Sequence, residues 1–140
     1  MKRSLITEGE GWPLGAVIAG ANVHDSKLLL ATIEAIVVDR PNPCKHRQHL
    51  CLDKGFDNPS GRGAAKQGGY IPHIRRIGEE PRACRGRERA RRWVVERLHS
   101  WLSKCRGILV RYAKKPENYL AFIQLASGLL WYRKWHRIAF

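Results

Sequence analysis

The feature that most constrains this chain is a strand-length apolar run that ends in a carboxylate. His49-Leu50-Cys51-Leu52 leads straight into Asp53, and the chain then breaks into the turn Lys54-Gly55-Phe56-Asp57. Four residues suit a strand bounded by turn signals and are too few for a helix. Helical signals flank it. Upstream, Asp25 is placed to cap a helix over about 27–38, with Leu28, Leu29, Ile33, Ile36 and Val37 on its buried side. Pro41-Asn42-Pro43 stops that helix. Downstream, Asn58-Pro59 opens a small helix, because Asn caps well and Pro fits the first turn. Gly68-Gly69 closes it, and a further strand over 70–74 carries Pro72, which points to an edge or a bulge. At the start of the chain, a hairpin is expected over 3–21, turning at Glu8-Gly9-Glu10-Gly11.

The second half reads as two helices behind a basic loop. From Arg75 to Arg92 there are eight arginines and three glutamates, with Gly and Pro among them. That composition predicts an exposed loop grading into a helix over about 88–105. On this helix Val94, Leu98, Trp101 and Cys105 have the spacing of a buried stripe. Arg92, Glu96, His99, Ser103 and Arg106 form a polar stripe at the same spacing. A last helix is expected over 116–133, followed by the aromatic and basic tail Trp131-Tyr132-Arg133-Lys134-Trp135-His136-Arg137.

With 140 residues, the chain suits one domain. Lys plus Arg number 26 against 12 acids, a formal charge of +14 and a pI near 10.3, so polyanions, nucleic acid first, are the expected partners. Met1-Lys2-Arg3 is followed by no apolar stretch of signal-peptide length. The apolar run 119–132 is shorter than the roughly 20 residues a membrane span needs. These features predict a cytoplasmic protein without a membrane partner, its four Cys reduced.

Asp53 and Glu96 are the candidate metal ligands. Mg²⁺ prefers oxygen donors and is held by one or two carboxylates together with phosphate oxygens. A pair of such ions clamps both the attacking and the leaving oxygen of a phosphodiester. The plainer readings are a strand-ending turn for Asp53 and an i, i+4 ion pair with Arg92 for Glu96. Cys44-Lys45-His46-Arg47-Gln48-His49-Leu50-Cys51 lacks the paired spacing of a zinc site, so buried thiols beside solvent-facing histidines are expected instead. His24-Asp25 reads as a loop residue and a helix cap, and Asp57 as a turn residue or a cap partner of Asn58. Trp93 and Trp101 read as core. Trp131 and Trp135 lie in the basic tail, where base stacking is the alternative to packing.

Several stretches, in order, resemble the bacterial insertion-sequence DDE transposases, particularly the branch numbered five. They are 15–26 (GAVIAGANVHDS), 52–57 (LDKGFD), 70–75 (YIPHIR), 92–97 (RWVVER), Trp101-Leu102 and 118–122 (NYLAF). The resemblance implies an α/β, ribonuclease-H-like fold, with Asp53 as the second and Glu96 as the third acid of a metal-binding triad. The first Asp of the family lies upstream of Met1. The chain is therefore expected to be a single partial domain over 1–140. Its mixed sheet, with flanking helices, would lack one central strand. The family pattern Tyr-x₂-Arg-x₃-Glu-x₆-Lys is met by Arg92 and Glu96, while Arg89 stands at the Tyr position and Ser103 at the Lys position, with Lys104 one step on.

The implied activity is Mg²⁺- or Mn²⁺-dependent DNA cleavage and strand transfer once the missing part is supplied. Arg85, Arg87, Arg89, Arg91, Arg92, Lys104 and Arg106 would grip DNA phosphates. The implied partners are transposon ends, target DNA, an N-terminal transposase fragment in trans and further copies of the chain on DNA. The alternative is a non-catalytic basic DNA-binding fragment or regulator of transposition.

Overall fold

The computed structural model describes residues 1–74 and 92–139. The basic segment 75–91, with Arg85, Arg87, Arg89, Arg91 and Cys84, lies outside them, as does the Arg92 side chain. Strands β1 (Lys2–Thr7) and β2 (Pro13–Ala19) form an antiparallel hairpin in which Leu5 stands opposite Ala16 and Arg3 opposite Ile18. Its turn is closed by the Glu8 carboxylate, whose Oε1 accepts from the backbone N–H of Glu10 at 2.9 Å and of Trp12 at 3.2 Å. Opposed residues share a face of an antiparallel pair. Leu5, Ala16 and Ile18 thus face one side of the hairpin, Ser4 and Ile6 the other.

Helix α1 (Asp25–Glu34) covers the Ser4 and Ile6 side. Thr32, buried on α1, donates to the Leu28 carbonyl at 2.7 Å and shares a hydrogen bond with Ser4 Oγ at 2.8 Å. Gly15 lets the end of the helix come this close, since a Cβ there would lie 2.7 Å from the Ala35 carbonyl oxygen. Two details differ from the sequence reading. The cap is His24, whose Nδ1 accepts from Ser26 N–H at 3.3 Å, while Asp25 lies in the first turn and pairs with Lys2 Nζ at 3.2 Å. The helix also ends at Glu34, not 38, because Val37 N–H turns away to the Leu14 carbonyl at 3.2 Å and its side chain is exposed.

Strands β3 (His49–Leu52) and β4 (Ile71–Ile74) pair in parallel, joined by helix α2 (Pro59–Gln67). Asn58 Oδ1 caps α2 by accepting from Gly61 N–H at 2.8 Å. Leu50 meets Ile6, Leu29, Ile33 and Ala65 in one core, with Leu52 and Phe56 packed against it. A second core lies on the other face of the hairpin. Helices α3 (Arg92–Ser103), α4 (Arg106–Leu109) and α5 (Pro116–Ala139) bring Leu98, Leu102, Ile108, Tyr119 and Ile123 against Leu5, Ala16 and Ile18. The result is an α/β fold with helices on both faces of β1–β2.

The second helical pair departs from expectation in three ways. The buried stripe of α3 is Val94, Leu98 and Leu102, with Trp101 partly buried. Cys105 lies past the end of α3, exposed, at the start of α4. Helix α5 runs on to Ala139 because no breaker interrupts Tyr132–Arg137, and His136 and Arg137 suit the negative end of its dipole.

The described strands do not form one sheet. Among the described residues β1 pairs with β2 only and β3 with β4 only. A groove of about 310 Å³ separates the two pairs, lined by Ile6–Gly9 on one side and Gln48–Leu50 on the other. Arg40 braces its floor, donating to Gln48 Oε1 at 2.9 and 3.2 Å and to the Gly68 carbonyl at 2.9 Å, and lying 4.0 Å over the Tyr70 ring. No described helix is long and apolar enough to cross a membrane.

Candidate active site

Asp53 is exposed at the carboxyl end of β3, the position where open α/β sheets present groups to ligands. Its backbone is extended (φ −73°, ψ 164°) and it caps the 3₁₀ turn Lys54–Phe56. One carboxylate oxygen accepts from Lys54 N–H at 2.7 Å, and the Asp53 carbonyl accepts from Phe56 N–H at 3.0 Å. The Lys-Gly-Phe turn thus fixes the direction of the carboxylate. Asp57 has a different task. Its Oδ1 accepts from Arg62 Nε at 2.9 Å and Nη2 at 2.6 Å, an ion pair that ties the turn to α2.

Glu96 is exposed on α3, opposite the stripe that packs onto the hairpin. Further along the same helix, Arg3 Nη2 donates to Ser103 Oγ at 3.1 Å, and Ser103 Oγ donates to the His99 carbonyl at 2.8 Å. Burial, and then the Arg3 charge, hold the His99 imidazole below its ordinary pKa. Lys104 and Arg106 follow α3 and are exposed, as cations that meet a polyanion must be.

Strand β1 is the common neighbour of both carboxylate-bearing elements. Helix α3 packs on one of its faces, and β3 stands across the groove from its edge. Two hard carboxylates suit the donor chemistry of Mg²⁺ or Mn²⁺. Among the described residues no three His, Cys, Asp or Glu side chains gather as a metal site. Asp53 follows β3 and Glu96 lies on α3, so the two carboxylates are carried by different parts of the fold.

The expected buried thiols are corrected: Cys44 and Cys51 are both exposed. His49 and His73, neighbours across β3 and β4, share a contact of 2.6 Å between Nδ1 and Nε2.

One cluster was missed from the sequence. The Arg97 guanidinium lies 4.8 Å from the ring centroids of both Trp93 and Trp101, and its Nη2 donates to the Glu10 carbonyl. Lys134 Nζ stands 4.9 Å over Trp12 and 5.2 Å over Trp131, and pairs with Glu10 Oε2 at 3.1 Å. That hydrogen bond and charge hold the Glu10 carboxyl below its ordinary pKa. Trp131 Nε1 donates to the Pro13 carbonyl at 2.7 Å, so Trp131 is a packing residue; Trp135 remains exposed. The i, i+4, i+8 spacing of Trp93, Arg97 and Trp101 was the available signal, for it stacks three flat groups on one helix face.

Comparison with known proteins shows the family. The family described as the transposase DDE domain matches residues 1–131. A Burkholderia cepacia protein named as a transposase for insertion sequence element IS402 is 33% identical over 132 residues, which cover 92% of this chain and 61% of that protein. The chain therefore spans about three fifths of that relative's length. No solved structure matches the chain.

Proposed function

Since this chain belongs to the transposase DDE-domain family, we propose that it is the carboxyl-terminal portion of a DNA transposase catalytic domain. Its reaction class is hydrolysis of a phosphodiester followed by attack of the freed 3′-hydroxyl on a second one. The observation that carries this reading is the position of Asp53. It ends a parallel strand, it is oriented by its own turn, and the strand faces the hairpin across an open groove.

Asp53 and Glu96 are the residues that would hold Mg²⁺ or Mn²⁺. When bound, such ions stabilise charge on the attacking and leaving oxygens of a phosphodiester. The protein's own part is to orient and to bind. The Lys54–Phe56 turn fixes the Asp53 carboxylate, and the packed stripe of α3 fixes the backbone that carries Glu96. Lys104, Arg106, Arg92 and the arginines 85, 87, 89 and 91 would hold DNA backbone phosphates, which sets register and affinity without reading sequence.

The groove is the place for the absent central strand of a ribonuclease-H-like sheet. Ile6 and Thr7 of β1 and His49 and Leu50 of β3 line the groove. A strand entering between them would pair with both. It would join two two-stranded sheets into a mixed five-stranded one and bring the third acid.

The second reading is a DNA-binding regulator without catalysis, which the formal charge of +14 also supports. One experiment separates the two. In a protein completed with an Asp-bearing upstream segment, Asp53→Ala and Glu96→Ala should each abolish DNA cleavage while leaving DNA affinity nearly unchanged, since each removes a metal ligand and no phosphate contact. Near-normal turnover in either variant would refute the assignment of that residue.

A further inference from the structure

Strands β3 and β4 turn one face to the core and the other to solvent. Leu50 is buried in the core and Leu52 packs against it. The alternate residues, His49 and Cys51, therefore stand on the opposite face. The parallel register sets Cys51 beside His73, which makes His49 and His73 diagonal neighbours on that face. Both histidines are exposed. Nδ1 of His49 lies 2.6 Å from Nε2 of His73, while the ring centroids are 4.8 Å apart, so the imidazoles meet nitrogen to nitrogen rather than stacked. Each ring sits on a strand whose other face is held by the core, so the backbones that carry them are fixed relative to one another.

We infer that His49 and His73 form a two-nitrogen chelating site for a late first-row divalent cation, of the class of Ni²⁺, Cu²⁺ and Zn²⁺. The donor type selects the metal. Imidazole suits these ions, whereas Mg²⁺, Ca²⁺ and Mn²⁺ prefer carboxylate, carbonyl and water oxygens. Neither β3 (HLCL) nor β4 (IPHI) carries a carboxylate. Among the described residues, Asp53 beyond the end of β3 does not join the pair in a three-ligand group, so the remaining coordination positions fall to water. The spacing fits as well. With metal–nitrogen bonds of about 2.0–2.1 Å, two imidazoles on one ion stand about 2.9 Å apart at a square corner and about 3.3 Å apart at a tetrahedral one. The pair at 2.6 Å is short of these by about 0.3–0.7 Å, an opening that a tilt of two exposed rings supplies. The square corner is the nearer fit, and it is the geometry of Ni²⁺ and Cu²⁺. A contact this short requires one of the two nitrogens to carry a proton. The metal takes both lone pairs, and that proton moves to the outer nitrogen of its own ring. Bound there, the ion clips β4 to β3, the strand that leads into Asp53. The site differs in donors and in place from the oxygen-ligand chemistry proposed for Asp53 and Glu96, and it does not depend on it.

Calorimetric titration of Ni²⁺ into the reduced 140-residue chain tests it, with millimolar Mg²⁺ present to occupy oxygen sites. The expected result is saturable binding of a single Ni²⁺ per chain at micromolar concentration, which Mg²⁺ does not displace. His49→Ala and His73→Ala, both at exposed positions, should each weaken that binding at least about tenfold with circular dichroism unchanged, because losing even an outer-shell partner of a metal ligand costs about 10–100-fold. His46→Ala, in the loop before β3, and Cys51→Ser, on the same face, should leave the affinity unchanged. Ni²⁺ should also raise the urea midpoint of the wild-type chain and not that of His73→Ala, since an ion that binds only the paired strands stabilises them. An absence of saturable binding by the wild-type chain, or wild-type affinity in either His49→Ala or His73→Ala, overturns the inference. Loss of binding in Cys51→Ser overturns it too, by moving the site to the thiol.

Discussion

Replacing Leu98 with Ala should detach the helix that carries Glu96 from the hairpin before it touches any chemistry. Leu98 is fully buried and stands in a core with Leu102, Ile108, Tyr119 and Ile123, against Leu5, Ala16 and Ile18 of the hairpin. Leu→Ala changes in packed cores cost about 2–5 kcal/mol, from lost transfer energy plus the cavity left behind. With three helices and two strands around this one side chain, the cavity has little freedom to collapse, so a value of about 3–4 kcal/mol is expected. At roughly 2–4 °C per kcal/mol for a chain near this size, the melting temperature should fall by about 10 °C. Urea unfolding followed by circular dichroism reads the same change as a lower midpoint with an unchanged slope. Leu125→Ala, at an exposed position, should stay within about 0.5 kcal/mol. A cost below about 1 kcal/mol for Leu98→Ala would show that α3 does not hold the hairpin as described, and the support given to Glu96 would fail with it.

Two further outcomes follow from charge. His99 is half-buried beside Arg3 and has a lowered pKa, so the unfolded chain takes up its proton at higher pH than the folded one. Stability should therefore decline as pH drops through the unfolded value near 6.5 towards the lower folded value, and His99→Gln should flatten that decline in urea titrations at a series of pH values. Replacing Arg85, Arg87, Arg89 and Arg91 together with Ala should weaken binding to all DNA sequences alike and reduce the slope of log affinity against log salt by up to about 3.6, at about 0.9 per phosphate contact. An unchanged slope in filter binding would show that these arginines meet no phosphate.

Local signals carried the secondary structure well. Asn58-Pro59 opened α2, and the short run before Asp53 made a strand, because each depends on neighbours a few residues away. Failures came where distant contacts decide. His24 took the cap predicted for Asp25, whose carboxylate is drawn to Lys2, 23 positions upstream. Helix α1 stopped early because Val37 found a backbone partner on β2. That the described strands pair two by two was not legible, since long-range pairing leaves no periodic trace in the chain. Asp53 and Glu96 were both named from the sequence; Asp53 directly follows β3 and Glu96 lies on α3. The Trp and cation cluster at the hairpin turn was not named. It assembles from residues more than a hundred positions apart, as in the bond from Trp131 to Pro13.

The most direct test is a strand-transfer assay in Mg²⁺ or Mn²⁺ with transposon-end DNA. The 140-residue chain would be assayed alone and again with an Asp-bearing upstream segment, fused or added as a separate chain. The account predicts no strand transfer by the chain alone and metal-dependent strand transfer once the strand between β1 and β3 is supplied. Robust strand transfer by residues 1–140 alone, or none from the completed protein although it folds and binds DNA, would contradict it.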